Sequence, residues 1–135
     1  MVQNAYLGKE IVVTVTNRIG ILADMSKILA DHGINIVAVA GYATENEAKI
    51  MVVTEDNLRA SDALVKAGYK GARENPVLIV ELDDKPGALR NITTKLAAEN
   101  IDIRYIYGTA CSVKCPAKIV LSTSSDEKAL LVFKK

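Results

Sequence analysis

The sequence predicts an α+β fold built as two tandem βαββαβ units, each an antiparallel sheet with its helices on one face. Three observations carry this. Gly20 and Gly87, Leu22 and Leu89, Leu29 and Leu96, and Ile34 and Ile101 all differ by 67 positions. Ala48-Lys49-Ile50 recurs as Ala117-Lys118-Ile119 at an offset of 69, so the second copy carries two extra residues in the loop around Cys111 to Pro116. Within each copy, runs of period-2 and helical spacing alternate in the order of that unit.

Glu10 to Thr16 is a β-branched run and reads as the first strand. Ile21 to His32 places Ile21, Leu22, Met25, Ile28 and Leu29 at helical spacing, and Gly33 is a natural stop. Ile34 to Tyr42 and Ala48 to Thr54 follow as strands joined by a polar turn, Ala43 to Glu47. Asn57 to Ala67 is the second helix, with Leu58, Leu64 and Val65 expected inward and Gly68 as its stop. Tyr69 to Arg73 is expected as a short fourth strand before an Asn75-Pro76 break. The order is the split βαβ, or ferredoxin-like, arrangement.

The second copy gives strand Val77 to Leu82, helix Ala88 to Glu99, strands Ile101 to Thr109 and Ala117 to Ser122, and helix Asp126 to Lys134. Its fourth strand is missing. The expected division is 1–75 and 76–135. A unit of about 67 residues buries a marginal share of its surface alone, so the copies are expected to pack together. The second strands, long and apolar, are expected to pair side by side in one continuous sheet. Ile11, Val13 and Val15 alternate with Val12, and Ile50 and Val52 with Met51 and Val53, so both sheet faces are apolar. A second chain covering the open face is the economical solution, which predicts a homodimer or higher homo-oligomer.

Composition narrows the function. Seventeen Lys and Arg against sixteen Asp and Glu give a net charge of +1, without the basic footprint of a nucleic-acid binder. No run approaches the roughly 18 apolar residues that span a bilayer, and the N-terminus lacks a signal-peptide pattern, so a cytoplasmic protein without membrane contact is expected. There is no nucleophile–base pair, metal motif or phosphate-binding lysine signature. No enzyme activity, cofactor or metal is therefore expected. Cys111 and Cys115 are expected as two ordinary thiols, and Arg18 and Lys85 as solvated loop charges.

A turn recurs at the start of each first helix: Asn17-Arg18-Ile19-Gly20-Ile21-Leu22, then Gly33-Ile34-Asn35-Ile36, and Asp84-Lys85-Pro86-Gly87-Ala88-Leu89, then Asn100-Ile101-Asp102-Ile103. A glycine there lets the backbone approach a ligand, and the free N–H groups of the helix that follows suit a carboxylate. These motifs resemble the ACT domain family of amino-acid-sensing regulatory modules, over nearly the whole chain as two stand-alone copies. Ile19 replaces the family's proline in the first copy.

The resemblance implies an amino acid bound at the interface between ACT units and a regulated enzyme partner. By likeness to the regulatory domain of phosphoglycerate dehydrogenase, it implies Asn17 acting with Asp102 at one site and Asp84 with Asn35 at the other. The contrasting reading is a protein-interaction module whose pockets stay empty.

Overall fold

The computed structural model describes residues 2–110 and 115–134. It holds β1 (Val2–Thr16), α1 (Ile21–Asp31), β2 (Ile36–Ala43), β3 (Glu47–Thr54), α2 (Asn57–Lys66), β4 (Arg73–Leu82), α3 (Ala88–Ala98), β5 (Ile103–Thr109), β6 (Ala117–Thr123) and α4 (Asp126–Phe133). The chain divides into two compact units. One is Lys9–Asn75; the other is Pro76 onward together with the N-terminal residues up to Gly8.

In the first unit the strand order is β2-β3-β1, completed by the start of β4. Ile11 faces Val52 and Val13 faces Ile50 across β1 and β3, while Val39 faces Val52 and Gly41 faces Ile50 across β2 and β3. Cross-strand partners share a face; Ile11, Val13, Ile50 and Val52 reach the core, where Ile21, Met25 and Leu29 of α1 and Ala60 and Leu64 of α2 meet them, while Val39 on the outer strand is exposed. Helix α2 starts at Asp56, whose side chain accepts the N–H of Arg59. That start turns Ala60, Ala63 and Leu64 inward and leaves Leu58 and Val65 exposed, against the expectation for those two.

The second unit repeats this register. Leu78 faces Leu121, Val80 faces Ile119, Ile106 faces Leu121 and Gly108 faces Ile119. Even the irregularity near the start of β2, between Ile36 and Ala38, recurs between Ile103 and Tyr105. The helix entries match as well: Thr54 Oγ1 donates to Asn57 Oδ1 at 2.7 Å, and Thr123 Oγ1 donates to Asp126 Oδ1 at 2.6 Å.

Residues 1–8, assigned to the first copy by the repeat, group instead with the second. Ala5 lies in that unit's core with Leu78, Val80 and Leu121, and Val2 packs against it. This part of β1 stands beside β4, where the second copy lacks a fourth strand of its own. The first copy's fourth strand is also displaced. Tyr69 to Ala72 form turns, and the strand begins at Arg73 and runs through Asn75-Pro76 without a break. A residue before proline is driven toward extended backbone, so this pair is compatible with a strand.

Two further expectations are corrected. Among the described residues β2 has β3 as its only strand neighbour, and β5 has β6, so the second strands do not pair with each other. Val12, Met51 and Val53, expected on an open face, are buried.

Candidate functional site

The first turn is set by Gly20, which caps α1 in the left-handed region at φ 92°. A side chain there is strained whatever space surrounds it. Asn17 anchors the entry through its N–H to the carbonyl of Asn46 at 3.0 Å, and the N–H of Asp24 bonds the Gly20 carbonyl at 2.9 Å. The first-turn N–H groups of α1 have no acceptor within the helix and carry its positive end.

A cavity of about 470 Å³ opens beside this turn. Asn17, Arg18, Gly20, Ile21 and Leu22 line it from the turn; β2 contributes residues 39–43, and β3 contributes Ala48 and Ile50. Ile21, Ala48 and Ile50 are buried, while Asn17, Arg18 and Tyr42 are exposed. One end is therefore apolar and the other polar. A β-carbon at Gly41 would meet the Ile50 Cγ1 at 3.5 Å, so the bare glycine backbone leaves open space over that isoleucine.

Arg18 is exposed, as expected of a loop charge, but it is also held in place. Its Nη2 donates to the Tyr69 hydroxyl at 3.0 Å, and the same hydroxyl donates to Asp24 Oδ2 at 2.5 Å. Arg18 and Asp24 stand 3.8 Å apart. Burial of the ring and the bond to the Asp24 carboxylate hold the Tyr69 phenol above its ordinary pKa. The trio ties the turn to α1 and to the segment after α2, and it fixes the one charged side chain in the cavity's lining.

The second turn has the same backbone, with Gly87 at φ 88°, but it closes more tightly. The N–H of Ala88 donates to the Lys85 carbonyl at 3.2 Å, which occupies one of the first-turn donors. Lys85 is held 3.6 Å from Asp83. Above this turn Ile119 approaches a Gly108 β-carbon position to 2.6 Å, so its side chain fills the space left open at Gly41. Of the second-turn residues, Gly87 lines a concavity of its own unit with Arg90, Asn91, Thr94 and Lys95 along α3.

Ile19 is fully exposed beside the first cavity but outside its lining. Asn35 lies outside that lining as well: its side-chain nitrogen donates to Glu55 at 3.3 Å. Asp102 is exposed at the entry to β5, its N–H on Ser124 Oγ at 3.0 Å. The β2 and β3 linings, and Tyr69, were not anticipated. A glycine inside a strand pattern, as at Gly41, is the sequence signal that marks such a close approach.

Cys115 is disulfide-bonded, which corrects the expectation of ordinary thiols there, and Cys111 lies outside the described residues. Among the described residues no His, Cys, Asp or Glu group is arranged to hold a metal, and no helix is long and apolar enough to cross a membrane.

Residues 9–66 match the ACT domain family. No curated protein matches the chain. Among solved structures, a protein of Bacteroides thetaiotaomicron is 25% identical with a TM-score of 0.87, covering 96% of this chain and 88% of its own. The ligand-free regulatory subunit of aspartate kinase from Thermus thermophilus is 16% identical with a TM-score of 0.66, covering 99% and 97%. The corresponding subunit from Thermus flavus is 16% identical with a TM-score of 0.57, covering 98% and 96%. The last two likenesses concern the fold.

Proposed function

Through residues 9–66 the chain belongs to the ACT domain family, and on that premise we propose that it is a non-catalytic regulatory protein that binds an amino acid at the first turn. The observation that carries this is the cavity lined by Asn17, Gly20 and Leu22 on one side and β2 on the other. The ligand carboxylate meets the free N–H groups at the start of α1, where the helix dipole favours an anion. Its ammonium meets the Asn17 side-chain oxygen and the outward carbonyls of β2, whose outer edge carries no further strand. The second turn, with a donor already occupied and Ile119 across Gly108, is the weaker site.

The protein acts as a homo-oligomer in the cytoplasm and controls an enzyme partner. The matched solved structures include regulatory subunits of aspartate kinase, which supports the regulatory part.

One observation favours the assembly-module reading. Ile19, Leu22, Val39 and Tyr42 are exposed apolar or aromatic residues around the cavity mouth, a rim suited to another protein surface. Thermal-shift screening against the common amino acids separates the two. Ligand at 100 times its dissociation constant stabilises by roughly 2.7 kcal/mol. A shift that Asn17→Ala diminishes supports the sensor; no shift with any amino acid supports the assembly module.

A further inference from the structure

We propose that the first-copy cavity selects an amino acid with an apolar side chain, an inference that rests on the amino-acid-binding reading above. The lining is divided by polarity. The polar groups, Asn17, Arg18 and the α1 N–H groups, gather at the turn. Away from it the surface is Ile21, Ala48 and Ile50, all buried, with Val39 and Ala43 beside the bare backbone of Gly41. An amino acid held by its carboxylate at the turn places its side chain over Ile50.

That end offers a polar side chain only strand carbonyls and the exposed Tyr42 phenol. A hydroxyl, amide or charge placed over Ile50 gives up more water than it regains in partners. Arg18 is shared with Tyr69 and Asp24, which weakens its pull on an acidic side chain. No carboxylate lines the cavity to receive a basic one. Size favours a substantial side chain, since about 470 Å³ lies within the range of small-ligand pockets. Alanine and glycine leave the Gly41–Ile50 space unfilled.

The second copy supplies an internal comparison. There the Ile119 Cδ1 comes within 2.6 Å of a Gly108 β-carbon position, against 3.5 Å for the Ile50 Cγ1 at Gly41, so the first copy is the less crowded of the two at this strand position.

Titration calorimetry of the full chain tests this with leucine, isoleucine, valine, methionine and phenylalanine against threonine, asparagine, aspartate and lysine. The apolar group is expected to bind at least tenfold tighter, with valine preferred over threonine by about 100-fold. Gly41→Val, which puts methyl groups over Ile50, is expected to weaken the best apolar ligand at least tenfold; Gly41→Ala, an ordinary contact at 3.5 Å, keeps the fold and weakens it less. A polar amino acid that binds as tightly as leucine overturns the apolar selectivity and leaves the amino-acid sensor standing. Binding of no amino acid overturns both.

Discussion

Ile119 lies across Gly108, its Cδ1 2.6 Å from where a β-carbon on that glycine would stand, whereas Ile50 keeps its nearest carbon 3.5 Å from the same point on Gly41. The two pairs occupy equivalent positions in the two copies and face each other in the same register. The duplicated backbone is thus packed more closely at Gly108 than at Gly41.

Substitution by alanine separates the two glycines. Gly41→Ala makes ordinary contact and is expected to change stability by less than about 0.5 kcal/mol. Gly108→Ala swings the Ile119 terminal methyl aside and presses on the Lys118 carbonyl at 3.3 Å, and it is expected to cost about 1 kcal/mol, the low end of overpacking. Urea denaturation of both variants checks the difference.

The Tyr69 hydroxyl, between Arg18 and Asp24, gives a pH signature. Its pKa is raised in the folded state above the ordinary 10.0, so the folded chain holds this proton more tightly than the unfolded one. The stabilisation is complete below about pH 10 and is lost as pH rises through the folded value. Tyr69→Phe is expected to cost about 0.5–1.5 kcal/mol at pH 7. It should also flatten the fall in melting temperature above pH 9.5. Thermal denaturation across that range reads both effects.

The N-terminal residues report on the second unit through Gln3, whose Nε2 donates to Asp83 Oδ1 at 2.7 Å. That bond, and then Lys85, hold the Asp83 carboxyl below its ordinary pKa. Its contribution to stability is present above the unfolded value and is lost as pH falls through the lower folded one. Gln3→Ala is expected to raise the Asp83 pKa, measured by carbon-detected NMR titration. An unchanged value would remove residues 1–8 from beside the second turn.

Much of this was legible in the sequence. The offsets of 67 and 69 carry through to the strand register, because apolar period-2 runs fix which face each residue takes. Gly20 and Gly87 were readable as turn residues, since only glycine adopts that backbone without cost. The exchange of residues 2–8 into the second unit was not legible. Strand pairing is non-local, and nothing local in Val2–Gly8 specifies β4 as a neighbour. The tie from Arg18 to Tyr69 was not legible for the same reason, as the two lie 51 positions apart.

The central claim is that ligand binds in the first copy's cavity. Amide NMR of the full-length, nitrogen-15-labelled chain titrated with leucine tests it most directly, because the glycine signals are resolved from the rest. The account predicts saturable shifts at Gly20 and Gly41, with Gly87 and Gly108 unmoved. Equal shifts at Gly87 and Gly108, or saturable binding that leaves Gly20 and Gly41 unmoved, would contradict it.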